Sequence, residues 1–287
     1  MPQSTYRIIR HNSPRAFLRQ AEDWLAAREA EYSLLLGLAR RLSLSQDGFD
    51  HPLFFATIES DAGLEGCAFR TPPHKFGLTA MPVEAVPMLA AAVGDVYDEL
   101  PAVLGPEPAV GAFADAWARK NRVDAHPGMC QRIYRLEAVN PLPVNVDGCM
   151  RVATQSDVPL ISRWMQRFME DVGMPTKRPR EMSELLLSQD ALVVWEDGEP
   201  KAMAGTQYPT QHGTRISYVY TPDEYRNRGF ATALVHALSG RELRGGRSFC
   251  VLYTDLANPT SNSVYRTIGY EPIADVRDYT FLARGRE

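Results

Sequence analysis

The stretch RISYVYTPDEYRNRGFATALVHALSGRELRGGRSFCVLYTDLANPTSNSVYRTIG, residues 215–269, decides the fold. It opens on β-branched and aromatic residues, Arg215 to Tyr220, and is stopped by Thr221-Pro222-Asp223, as a strand entering a turn should be. Ala231, Leu234, Val235 and Leu238 then recur at helical spacing until Gly245-Gly246 ends the helix. Phe249 to Tyr253 is continuously apolar, which suits a strand buried on both faces. Asn258-Pro259 reads as an N-cap with proline at the first helical position, and Gly269 as the C-terminal stop. The unit is β-α-β-α, and a right-handed crossover is expected.

The turn between the first strand and helix carries the chemistry. Gly229 removes a Cβ where strand becomes helix, so a ligand can approach the backbone. The first helical N–H groups point outward with the positive end of the macrodipole behind them. That is a cradle for an anion, most naturally a pyrophosphate, and Arg226 and Arg228 add formal charge beside it. The spacing excludes a P-loop and a G-x-G-x-x-G dinucleotide fingerprint.

The order R-x-x-G-x-A after a strand, a second strand, then Asn258, Tyr265 seven residues on and Gly269-Tyr270 four beyond, resembles the acyl-CoA-binding half of the GNAT N-acetyltransferase superfamily. The resemblance runs from about Met150 to Arg284. It implies an acetyl-CoA or acyl-CoA site. Backbone N–H groups of Arg228, Gly229, Phe230, Ala231 and Thr232 would hold the pyrophosphate, with Arg226 and Asn227 also among the cofactor-binding residues, and the Val219 and Tyr220 backbone would pair with the pantetheine arm. Thr221 to Tyr225 makes the turn one residue longer than the family's commonest pattern.

Outward from this stretch, the chain reads as two copies of one fold, α/β with mixed central sheets flanked by helices. In the first copy, Tyr6 to Arg10 is a strand and Ser13-Pro14 opens helical pattern over 15–42, read as two helices from its two apolar faces. Strands follow at 53–60, 64–70 and 76–80. Val86, Leu89, Ala90 and Val93 mark a helix, Val103-Leu104 a strand, Phe113, Ala114 and Trp117 a helix, and 130–137 an alternating strand. The same order repeats after Asn140-Pro141-Leu142-Pro143, the linker candidate, so domains at 1–140 and 141–287 are expected. Where the second copy has its glycine turn, the first has Met81-Pro82-Val83-Glu84-Ala85-Val86-Pro87, without glycine or arginine and with prolines in place of N–H donors. The first copy should therefore hold no CoA and instead help to cover the second and shape its acceptor pocket.

Composition sets the outer limits. Hydrophobic residues at 45% and charged residues at 23% fit a globular protein, and the net charge of −4 argues against general nucleic-acid binding. No uninterrupted apolar run is long enough to span a membrane. The first residues, MPQSTYRIIRHNSPR, lack the apolar core of a secretory signal, and a cytoplasmic protein is expected. Cys67, Cys130, Cys149 and Cys250 form no C-x-x-C pair and read as reduced thiols. His212 and His236 have no partner at metal-ligand spacing, so no metal is expected.

The resemblance implies that Tyr265 is the acid facing the thioester sulfur; from helical position alone it reads equally as a core residue. Asn258 is an N-cap and, by resemblance, a partner of pantetheine. No side chain stands out as general base. The resemblance implies acetyl transfer from acetyl-CoA to a primary amine, and because no cysteine or serine sits in a nucleophile motif, direct attack is expected. The competing expectation is a non-catalytic acyl-CoA-binding module that regulates a partner.

Overall fold

The computed structural model describes residues 5–44, 52–142, 145–174 and 176–284. The first repeat comprises β1 (Arg7–Arg10), α1 (Pro14–Ala26), α2 (Ser33–Leu44), β2 (Phe54–Ser60), β3 (Gly63–Arg70), β4 (Phe76–Leu78), α3 (Val86–Gly94), β5 (Ala102–Gly105), α4 (Ala109–Asn121) and β6 (Val123–Leu136). The second comprises β7 (Cys149–Val152), α5 (Val158–Asp171), α6 (Pro179–Leu187), β8 (Leu192–Asp197), β9 (Glu199–Gln207), β10 (Gly213–Tyr220), α7 (Phe230–Arg244), β11 (Phe249–Asp255), α8 (Pro259–Ile268) and β12 (Glu271–Ala283). Strand, two helices, three strands, helix, strand, helix, strand recurs in full. β6 starts earlier than its alternation suggested, because His126-Pro127-Gly128 reads as a breaker. Gly128 is needed there: a Cβ would collide with the Asp278 carboxylate of β12.

Two compact units form. The first takes the chain up to Ile133, Thr254–Ala257 and the residues from Ile273 onward; the second takes Tyr134–Tyr253 and Asn258–Pro272. In the first unit the strand order is β1-β2-β3-β4-β5-β12, with β4 and β5 parallel and β5 antiparallel to β12. The last strand of the second repeat thus joins the sheet of the first unit. Phe54, Phe76, Val103, Phe113 and Trp117 fill its core, with Phe76 stacked on Phe113 at 5.0 Å between ring centres.

In the second unit β7, β8, β9 and β10 are antiparallel neighbours and β11 runs parallel to β10. Alternation along each strand divides the apolar residues between two faces. Val193, Ala202, Ala204, Ile216, Cys250 and Leu252 pack with α7 and α8, and Tyr134 and Leu136 from the end of β6 join them. Leu192, Val194, Met203, Tyr218 and Tyr220 pack with α5 and α6. Cys67 and Cys250 are buried, and all four cysteines are unpaired. Among the described residues no helix is long and apolar enough to cross a membrane.

One ion pair ties the entry of α5 to the sheet. Arg151 of β7 donates to both Asp157 oxygens, at 2.7 and 2.9 Å, and to Glu196 of β8 at 2.5 Å. Asp157 also accepts the Thr154 amide at 2.7 Å, as a capping box requires. The Arg151 hydrogen bonds hold the Asp157 carboxyl down at about 2. Its folded pKa lies below the unfolded value near 4, so the stabilisation is complete above about pH 4 and is lost as pH falls toward 2. Asp157→Asn is expected to lower stability at pH 7 by about 1–2 kcal/mol and to flatten the acid limb of urea midpoints between pH 5 and 2.5. An unchanged acid limb would remove this pair from the account.

Candidate active site

The site begins where two parallel strands separate. β10 pairs with β11 over Gly213, Thr214 and Arg215, opposite Phe249, Cys250 and Val251. Among the described residues the pairing goes no further, although β10 continues to Tyr220 and β11 to Asp255. On its other side, β10 sets Ser217 opposite Gly205 and Tyr220 opposite Met203, so residues 218 and 219 face a single residue of β9. This is a β-bulge, and Tyr218 adopts φ 56° within it. The slip is visible in the packing: Ile216 and Val219 lie against α7, whereas Tyr218 and Tyr220 lie against α5. Such a conformation is strained for an aromatic residue and persists only where the surroundings fix it. The Phe168 ring, 5.7 Å away and edge-on to Tyr218, is part of that fixing. β10 and β11 therefore share no rung beyond Arg215 among the described residues.

The turn that follows presents backbone donors. Asn227 and Gly229 both have positive φ, 61° and 83°, and α7 starts at Phe230 with no side-chain cap on its first amides. Left-handed residues on either side of Arg228, followed by an uncapped helix, aim N–H groups at one point, the geometry of an anion-binding nest. At Gly229 a Cβ would come to 3.0 Å from Val146 Cγ2. The seven residues from Arg226 to Thr232 therefore form one continuous structure. Their two arginines differ. Arg226 donates to the Thr221 carbonyl at 3.1 Å and pairs with Asp223 at 2.8 Å, bracing the turn. Arg228 is exposed, lies 5.0 Å over the Phe230 ring and has no carboxylate partner among the described residues.

A pocket of about 560 Å³ lies between the start of α7 and α8, lined by Gly229, Thr232, Pro259, Thr260, Ser263 and Val264 among others. Asn258 heads α8: its side chain accepts the Ser261 amide at 3.0 Å, and its carbonyl accepts Asn262 Nδ2 at 2.7 Å. The N-cap expected from sequence is present. Tyr265 lies one helical turn beyond Asn262's position and is not among the pocket's lining residues.

Tyr265 is only 8% exposed and sits between two other tyrosines, Tyr134 at 6.3 Å and Tyr270 at 6.0 Å. Both neighbours are satisfied. Tyr134 donates to Asn262 Oδ1 at 2.9 Å, and Tyr270 shares a 2.8 Å bond with Ser239. Tyr265 has no hydrogen-bond partner among the described residues, and burial pushes its hydroxyl up to about 12. The Tyr265 hydroxyl is left for a ligand to complete. Tyr134 and Asn262, which fix this neighbourhood, carry no sequence signal beyond the four-residue step from Asn258 to Asn262.

Arg241 pairs with Glu242, and Arg247 donates to the Thr210 carbonyl, so these two arginines at the end of α7 are locally engaged. Asp223 is held by Arg226 and Glu224 is exposed, so neither is presented as a base.

A parted parallel strand pair, a bulge beside the gap and an uncapped helix below it define the GNAT fold. Solved structures agree. A GCN5-related N-acetyltransferase from Sphaerobacter thermophilus is similar at 15% identity and TM-score 0.65, over 95% of this chain and 94% of that one. One from Kribbella flavida is similar at 18% identity and TM-score 0.55, over 89% and 95%. A tandem GNAT protein from the clavulanic acid biosynthesis pathway is similar at 10% identity and TM-score 0.54, over 99% and 100%. Residues 195–279 match the FR47-like protein family. Curated proteins give no match.

The tyrosine trio predicts unequal responses to deletion of a hydroxyl. Tyr134→Phe breaks a buried bond and should cost about 1–2 kcal/mol in urea unfolding. Tyr265→Phe removes an unpaired hydroxyl and should leave stability within about 0.5 kcal/mol of wild type or raise it. A larger cost for Tyr265→Phe than for Tyr134→Phe would mean that the Tyr265 hydroxyl is already satisfied.

Proposed function

We propose that the chain is an acyl-CoA-dependent N-acetyltransferase whose second copy binds acetyl-CoA and transfers the acetyl group to a primary amine by direct attack. In this reading residues 141–287 are the catalytic copy and residues 1–140 the silent one, with β12 exchanged as described above. The protein acts in the cytoplasm, where CoA thioesters are available, with no nucleic acid or membrane as partner. The observation that carries the reading is the parting of β10 from β11 beside the Tyr218 bulge. Two parallel strands that part in this way suit the amide-bearing pantetheine arm as a substitute strand.

Further geometry supports the same reading. The amides from Arg228 to Thr232 and the macrodipole of α7 favour a pyrophosphate, with Arg228 as the exposed cation beside it. The first copy offers no such place: a proline lies in the first turn of α3, and Pro82 precedes it. No metal enters the reading.

The residues divide the reaction as follows. The Val219 and Tyr220 backbone holds the acyl carbonyl and stabilises the oxygen as charge develops on it. The amine nitrogen bonds to the carbonyl carbon, the carbon–sulfur bond breaks, and the proton shed by the nitrogen balances the thiolate. Tyr265 serves the leaving sulfur. With its hydroxyl near 12 and an ordinary thiol near 8.5, complete proton transfer to the thiolate is uphill, so Tyr265 acts by a hydrogen bond that strengthens as sulfur charges.

Heating the protein with acetyl-CoA tests binding. At a hundredfold excess over Kd the midpoint should rise by the equivalent of about 2.7 kcal/mol, and Gly229→Val, which adds a strained Cβ against Val146, should abolish the rise. No rise with any CoA thioester would sink the proposal. Tyr265→Phe should keep the rise yet lower kcat for acetyl transfer roughly ten- to a hundredfold. Because burial keeps the hydroxyl protonated, kcat should show no falling limb from this group below about pH 12. A rise with no release of CoA from acetyl-CoA in the presence of any amine would favour the regulatory module.

A further inference from the structure

The face of the second unit's sheet opposite α7 carries a half-buried arginine with nothing to bind. Arg215 sits at the last paired rung of β10, opposite Val251, where the strands begin to part. Its neighbour Ile216 packs toward α7, so Arg215 points to the other face; Tyr253 does the same between Leu252, which packs toward α7, and the end of β11. The Arg215 guanidinium lies 4.2 Å from the centre of the Tyr253 ring, fixed by stacking. Its Nε is shut off from solvent and has no acceptor. No hydrogen bond or ion pair reaches this side chain among the described residues.

The other half-buried arginines of this unit each have a protein partner, although Arg135 Nε, like that of Arg215, is buried without an acceptor. Arg151 holds Asp157 and Glu196, Arg241 holds Glu242, and Arg247 holds the Thr210 carbonyl. Arg135 shares the Arg215 face and lies 4.9 Å over Phe249, but pairs with Glu137 at 2.7 Å. A guanidinium whose Nε is buried without an acceptor is costly. Its planar fork is complete when a carboxylate accepts two parallel N–H bonds.

We infer that the acceptor of the proposed reaction is a primary amine that also bears a carboxylate, and that Arg215, stacked on Tyr253, binds that carboxylate. The inference rests on the acyl-transfer reading for the amine, while the carboxylate site stands on Arg215 itself. One guanidinium with its second cation neutralised by Glu137 matches a single negative charge better than a phosphate dianion. Held at the closed end of the wedge, a short amino carboxylate would direct its nitrogen along the parted strands toward the thioester.

Two measurements test this separately from cofactor use. In the first, acetyl-CoA turnover is followed with α-, β- and γ-amino carboxylates, their amides and matching aminoalkyl phosphonates. The best carboxylate should have a KM roughly ten- to a hundredfold below that of its amide, and Arg215→Gln should bring the ratio to about one, with Arg215→Lys in between. In the second, binding of N-acetyl amino carboxylates and of the corresponding N-acetyl amides is measured by calorimetry, with and without CoA. Wild type should favour the carboxylate by a similar factor, and Arg215→Gln should lose the preference while keeping its acetyl-CoA-induced rise in melting temperature. A preference for the phosphonate, equal KM for carboxylate and amide, or equal binding of the two by wild type would overturn the inference. If acetyl-CoA itself fails to bind, the calorimetry still decides, because carboxylate preference at Arg215 is then read on the protein alone.

Discussion

The constraint on which the site depends is the early end of pairing between β10 and β11. Three rungs hold the strands together, and beyond Arg215 their backbones separate. Open parallel edges in a sheet interior leave polar groups unsatisfied, so such a gap is costly unless something fills it. The bulge at Tyr218 keeps it from closing: the extra residue turns β10 away while Tyr218 and Tyr220 are anchored in the α5 layer. Packing on one face of the strand thereby maintains the separation along its side.

The surrounding elements are arranged about that gap. Downstream, Asn227 and Gly229 reverse the chain in left-handed conformations and deliver an uncapped helix, with Arg226 locking the turn through Thr221 and Asp223. On α8, Asn258 secures the helix start and Gly269, at φ 112°, ends it. Between them the α8 tyrosine is buried with its hydroxyl unmatched, while its two aromatic neighbours are fully bonded. Arg215 Nε without an acceptor and a Tyr265 hydroxyl without a protein partner among the described residues are polar groups left available to a ligand.

Much of this was legible in the sequence because the relevant residues obey local rules. Gly229 announces a backbone that other residues avoid, Asn258-Pro259 announces a helix start, and the apolar run from Phe249 announces a strand covered on both faces. The repetition of ten elements followed from hydrophobic period alone. What escaped notice depends on contacts distant in sequence. Nothing local marks Tyr218 as left-handed, since RISYVY alternates like an ordinary strand. Arg226 looks equivalent to Arg228 until Asp223 folds back on it. Tyr134 meets Asn262 only because β6 ends in the second unit, and Gly128 is explained only by Asp278 of the exchanged β12. Strand order within a repeat does not say which sheet its last strand completes.

The central claim is that the gap beside Val219 and the start of α7 receive one extended ligand. Hydrogen exchange of backbone amides, compared with and without acetyl-CoA, measures this most directly, because each peptide reports the protection of its own amides. The account predicts slowed exchange in two separate segments, 216–220 on β10 and 228–232 at the turn, with the first copy's 82–87 segment unchanged. Protection confined to 82–87, or absent from both segments of the second copy, would contradict it.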